Sequence, residues 1–215
     1  MSSRIDAGPL PRAGKGRGRV AIIAVVVVVL AAMALDTTVV PIGAQQEEGF
    51  SAERYGAEHF PIVRDSVEKR AVEASELAAA VAEDKAAAGE RYGVAAGIGP
   101  VVPVTFSGVV GEGKAGIYAV DVKGVPEGLT IRVQTGPAIN GTDLRDATGD
   151  IEFGQFTNQI EYQNAGAAIN DEMKEQVLSG IDTDDLSGET VAVTGVFKLI
   201  NPNNWLVTPV SLSVQ

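Results

Sequence analysis

The chain reads as an α+β protein behind a membrane-directed leader, and three features of the sequence say so. An uncharged block follows a run of cations. Apolar residues then recur at three- and four-residue spacing, the helical period. The last half alternates or clusters β-branched residues between glycine-bearing turns, the mark of strands.

Residues 1–19 form a basic leader, with Arg4, Arg12, Lys15, Arg17 and Arg19 against Asp6. Val20 to Leu35 (VAIIAVVVVVLAAMAL) carries no charge, and Thr37 to Ile42 extends the apolar stretch past Asp36. A charge in the bilayer core costs several kcal/mol, and cations stay on the cytoplasmic side. The segment 20–42 is therefore expected as a transmembrane helix, crossing once, with a cytoplasmic N-terminus and an extracytoplasmic C-terminal domain. At a rise of 1.5 Å per residue, Val20 to Leu35 spans roughly 24 Å, short of the ~30 Å hydrocarbon core. Ala32-Met33-Ala34 also has the small-x-small pattern of a cleavage site, so a cleaved signal peptide is the alternative reading. The retained anchor is preferred because the apolar run continues beyond that site. A buried core helix fits least, since five consecutive valines are poor helix formers and leave no polar face.

Composition narrows the function. The net charge is −11, and because the leader is basic, the rest is more acidic than that total. Such a surface repels phosphate backbones, so nucleic acid is excluded as a partner. The chain has no cysteine, which removes disulfides and lipid attachment through a thiol. No ligand spacing for a metal and no cofactor motif is found.

Residues 47–93 are expected to be helical. Phe60, Val63, Val67, Ala71, Ala74, Ala78 and Val81 form one continuous apolar stripe, and Pro61 suits a first turn. Asp84 caps a second short helix that Gly93 ends. His59, the lone histidine, has no partner carboxylate nearby in sequence and is read as structural. Residues 94–100 (VAAGIGP) form a linker, because two glycines and a proline interrupt helix and strand alike.

Residues 101–215 are expected to form the main domain. Val102 to Val110, Gly116 to Val122 and Leu129 to Gln134 read as three strands. A polar loop, Thr135 to Gly149, follows, and then a helix from about Phe156 to Ser179. Glu189 to Leu199 and Trp205 to Val214 close the chain as two more strands. Five strands with one helix between the third and fourth is the order of a mainly antiparallel OB-like β-barrel. Gly108 and Gly195 fall inside strands, where glycine permits a bulge or the sharp coiling that a small barrel needs.

Two polar clusters are candidate ligand sites. In the loop, Thr135, Gly136, Asn140, Gly141, Thr142, Arg145 and Asp146 lie close together in sequence. Gly136, Asn140 and Gly141 tolerate positive φ, so their N–H groups can converge on an anion. Arg145 can clamp a carboxylate or phosphate, or pair with Asp146 and pin the loop. Without a GK[ST] ending the loop is no nucleotide-binding phosphate loop. At the helix start, Asn158, Gln159, Tyr162, Gln163 and Asn164 combine amides with a ring, the inventory of a sugar site. The bland reading of that cluster is capping of the helix. Trp205 is either a plug of the barrel mouth or an exposed stacking platform. Asp184-Asp185 and Glu47-Glu48 read as solvated charge.

Residues 132–170 (RVQTGPAINGTDLRDATGDIEFGQFTNQIEYQNAGAAIN), Val193 to Phe197 (VTGVF) and Leu206 to Leu212 (LVTPVSL) resemble a bacterial family of uncharacterised periplasmic lipoproteins. The resemblance runs from about Thr37 to Gln215. It implies an accessory role in solute uptake beside sugar ABC-transporter components. The chain departs from the lipoprotein pattern in lacking a cysteine to carry the lipid.

Two classes of function follow. The preferred one is a membrane-tethered extracytoplasmic binding or adaptor module for a small polar solute or for sugar-transport components, without catalysis. The alternative is an extracytoplasmic enzyme acting on sugars or cell-wall material, with Asp146, Glu152 or Glu161 as acid and base. Burial of one of those carboxyls in a cleft would favour it.

Overall fold

Helix α1 (Ala52–Arg70) begins where Ser51 accepts a hydrogen bond from the Arg54 N–H, and it ends on Lys69 and Arg70, whose charges suit a helix C-terminus. The structure, a computed structural model, describes residues 25–29, 33 and 49–215. The expected leader 1–19 lies outside the described residues, as does most of the segment 20–42, of which residues 25–29 and 33 are helical. No helix among the described residues is long and apolar enough to cross a membrane. Residues 50–215 form a unit of their own.

The continuous apolar stripe expected over residues 60–81 is broken. The chain leaves the helix at Ala71, forms a two-residue strand β1 (Val72–Glu73), and re-enters helix α2 (Ala74–Glu83). Strand β1 pairs in parallel with Val104 and Thr105, and that tertiary pairing overrides a helical period that sequence cannot distinguish from an unbroken helix. Pro61 is likewise not in a first turn but inside α1, nine residues after its start. The burial of Phe60 and Val63 on either side of it anchors the helix through the proline. Helix α3 (Lys85–Tyr92) follows, capped as expected by Asp84, whose carboxylate accepts from the Ala86 and Ala87 N–H groups.

Strands β2 (Val101–Lys114), β3 (Ile117–Val122), β4 (Thr130–Gln134), β5 (Thr190–Lys198) and β6 (Asn204–Val214) close into a ring. Strand β2 pairs with β3, β3 with β4, β4 with β6, β6 with β5, and β5 returns to β2. All those pairings are antiparallel except β4 with β6. Between β4 and β5 the chain forms the one-turn helix α4 (Asp143–Asp146), a 3-10 turn (Phe153–Gln155) and helix α5 (Gln159–Met173), which runs on as a π turn (Lys174–Leu178). The expected helix between the third and fourth ring strands is thus present. The register shift in the β5–β6 pair falls at Gly195, as expected. Gly108 carries no bulge, since the β2–β3 shift lies between Val110 and Gly113. Gly108 is needed instead because a Cβ there would sit 2.4 Å from the Asp121 carbonyl oxygen.

Inside the ring, the Trp205 indole stacks on Phe197 with centroids 4.4 Å apart and donates its Nε1–H to the Pro202 carbonyl. It is fully buried, so Trp205 is the plug and not the platform. Phe60, Val63 and Val67 of α1 and Leu77 and Val81 of α2 extend the same core outward. Each such side chain contributes about 1.5–3 kcal/mol by leaving water. Helix α1 also packs along α5, where Gly56 lets the Ala168 backbone approach.

Candidate functional site

The polar loop after β4 is held by a residue that sequence reading passed over. Gln134, 2 % exposed, accepts from the Asn140 N–H at 3.1 Å and donates through Nε2 to the Asn140 carbonyl at 3.2 Å and the Thr208 hydroxyl at 2.9 Å. Its amide imitates a strand partner for the loop. Thr135 donates from both its N–H and its hydroxyl to the Gly116 carbonyl. Gly136 and Gly141 adopt φ of +101° and +103°, but Asn140 does not enter that region. Because the Asn140 N–H is spent on Gln134, the three converging N–H groups expected as an anion nest do not form.

Asn170 of α5 donates to the Gly141 carbonyl, and this carries the loop into α4. There four charges are brought together. Asp146 accepts from Arg145 Nε and Nη2 at 2.8 Å each and from the Thr142 hydroxyl at 2.7 Å. Lys198, at the end of β5, holds its Nζ 3.5 Å from both Asp143 and Asp146. The Arg145 guanidinium lies 3.7 Å from the centroid of the Tyr162 ring, and Nη1 donates to the Tyr162 carbonyl. The guanidinium is therefore spent within the protein rather than held open as an anion clamp. Burial raises the Asp143 carboxyl above its ordinary value, against the pull of Lys198. Burial also raises the Tyr55 hydroxyl, against the pull of Arg145.

Tyr162 joins this network to a run of rings. Phe156 lies 5.4 Å from Tyr162 and 5.6 Å from Tyr55, while Phe50 contacts both Phe156 and Tyr55. His59 stacks on Tyr55 at 3.7 Å and places Nδ1 3.0 Å from the Tyr55 carbonyl, a structural role as expected.

Above the four charges opens a cleft of about 580 Å³. Thr142, Arg145, Asp146, Phe153, Tyr162 and Lys198 line it, with residues 95–98 of the linker along one side and Glu152 on another. Phe153 is 51 % exposed and meets Tyr162 edge to face. Of the residues expected to bind, Thr142, Arg145, Asp146 and Tyr162 meet here. Thr135 and Gly136 are buried in the loop's base, while Asn140 and Gly141 are exposed away from the lining. Asn158 is the α5 cap, accepting from the Ile160 and Glu161 N–H groups at 2.9 Å. Gln159 is exposed and does not line the cleft. The amide cluster thus separates from the ring it was paired with. Lys198 and Phe153 were not singled out by sequence reading. The signal for Lys198 was its place between the apolar Phe197 and Leu199, which puts it on the other face of β5.

Of the carboxylates named for acid–base work, Asp146 and Glu152 line the cleft and Glu161 does not. Asp146 is ion-paired, Glu152 is exposed, and Glu161 accepts from the Thr157 N–H at 2.9 Å. Among the described residues, no group of three or more His, Cys, Asp or Glu side chains is placed to hold a metal ion.

The model of the family "Predicted periplasmic lipoprotein (DUF2291)" matches residues 23–213. No curated relative matches the chain. Among solved structures, the crystal structure of an OB-fold protein from Thermotoga maritima superposes with a TM-score of 0.61 at 20 % identity. That match covers 78 % of this chain and 100 % of the other. At such identity the likeness is one of fold, and the fold is the OB-fold.

Proposed function

Because the chain belongs to the family of predicted periplasmic lipoproteins, we propose that it is a membrane-held extracytoplasmic binding module whose cleft takes a small, uncharged, hydroxyl-bearing solute. The anchor is the apolar segment 20–42, with the leader in the cytoplasm, since the sequence carries no cysteine for a lipid.

The observation that carries the reading is the pairing of a self-neutralised charge network with an exposed ring in one cleft. Arg145 and Lys198 balance Asp143 and Asp146, and Glu152 adds a negative charge at the rim. An anion would meet Asp146 and Glu152. A hydroxyl can accept from Lys198 and donate to Asp146, while the face of Phe153 covers apolar carbon. Charges already fixed by one another act as oriented hydrogen-bond groups and cost little to order on binding. The same proposal places the chain beside sugar-transport components.

Thermal shift and titration calorimetry of the full chain in detergent, against neutral sugars and the matching sugar acids, test this. Neutral sugars are expected to raise the melting temperature and the acids to have no effect, with the shift lost in Phe153→Ala and Lys198→Met. A shift with the acids alone, or no shift with any solute while transporter subunits co-purify, overturns the solute reading.

A further inference from the structure

The linker that borders the cleft also borders a second depression, an apolar groove of about 510 Å³. Small residues leave its floor low: Ala86, Gly89 and Gly93 of the α3 stretch against Gly99, Pro100 and Leu199. Filling is not possible from within, because a Cβ on Gly89 or Gly93 would lie 2.8 Å from the Pro100 ring. In the groove's wall and at its edge stand two apolar side chains that the fold leaves in water. Ile98 is 84 % exposed, next to Gly97 at φ +58°, and Ile200 is 50 % exposed. Ile200 adjoins the groove, since its Cγ1 is 3.4 Å from the Cβ position of Gly99.

A hydrophobic knob next to a hydrophobic hole is both halves of an isologous contact. Under a two-fold axis, each copy's knob meets the other's hole. The charges on the rim agree with that symmetry. Lys85 and Glu90 are both exposed and both line the groove, near opposite ends of α3. An antiparallel crossing of two α3 helices sets each lysine opposite the other copy's glutamate. Lys85 is already held at the rim, where its Nζ donates to the Ile200 carbonyl at 3.1 Å. A foreign partner would have to supply a knob, a hole and both charges. A second copy of this chain supplies all of them.

We propose that the Ile98–Ile200 face with its groove is a homodimer interface, in which Ile98 of each copy seats in the groove of the other and Lys85 faces Glu90. This holds whatever the neighbouring cleft binds. Light scattering on the full chain in detergent reads the protein mass directly. Twice the 22.2 kDa of one chain is expected for the wild type. Ile98→Asp places a carboxylate in the groove and is expected to weaken dimerisation roughly tenfold or more. Its circular dichroism should stay native, because the residue is 84 % exposed in the monomer. Lys85→Glu is expected to weaken the dimer, and Lys85→Glu with Glu90→Lys to restore it, an outcome that a merely structural lysine would not give. A single-chain mass at every concentration overturns the proposal. So does a dimer that survives Ile98→Asp, or a charge exchange that fails to rescue.

Discussion

Replacing Gln134 with leucine isolates the device that holds the polar loop. Leucine keeps nearly the same volume in a site that is 2 % exposed, so packing survives while three hydrogen bonds vanish. Each such bond is worth about 1 kcal/mol net. The Asn140 groups are exposed and recover part of that from water, whereas the Thr208 hydroxyl is buried and recovers little. The expected loss is therefore about 2–3 kcal/mol. For a domain of this size, 1 kcal/mol moves the melting temperature by about 2–4 °C, so Gln134→Leu should melt roughly 4–12 °C lower. Circular dichroism of the full chain measures the shift, and hydrogen exchange at the Asn140 amide locates it. That amide should exchange faster, while the β2–β5 amides change only with global stability. A melting point within about 2 °C of wild type, with Asn140 still protected, refutes the argument.

Three further outcomes are expected. Trp205→Ala should cost about 3–5 kcal/mol in denaturant unfolding, since it empties the ring and strands the face of Phe197; a loss near 1 kcal/mol would place the core elsewhere. Asn158→Ala should cost about 0.5–2 kcal/mol through the α5 cap yet leave solute binding unchanged, and a calorimetric loss of binding would return Asn158 to the site. Asp143 carries a carboxyl raised by burial above its ordinary 3.8, so the folded state holds more protons than the unfolded one. Its contribution to stability then falls as pH rises from the unfolded value through the folded one. The stability of Asp143→Asn relative to wild type should therefore grow as pH rises above the ordinary 3.8 in urea titrations, and a gap that narrows instead contradicts the burial.

Much of this was legible in the sequence for physical reasons. The ring strands show themselves because half-buried strands must alternate, and the Asp84 cap because an orphan helix terminus needs an acceptor. The break at Ala71 was not legible. Its cause, pairing of Val72 and Glu73 with a strand about thirty residues on, lies outside any local window. At the site, the loop residues Thr142, Arg145 and Asp146 were found because polar residues cluster where a loop turns. Lys198 was missed because it is one polar position in an ordinary strand, and only ring closure carries it to α4. Asn158 was over-read, since an amide that caps a helix and one that binds a ligand look the same in one dimension.

Closure of the ring also sets an order of events in the life of the chain. Strand β2 meets β5 from Val101 opposite Lys198 to Val109 opposite Thr190, so it emerges roughly eighty residues before the partner that closes it. During that interval its free edge is a template for any extended segment nearby. Loss of the last strand would leave β4 and β5 each with an open edge, and the ring, although β2 still meets β5, would stay unsealed. A truncation near the C-terminus should thus behave like a defect at the start, yielding aggregate or degradation instead of a shortened domain.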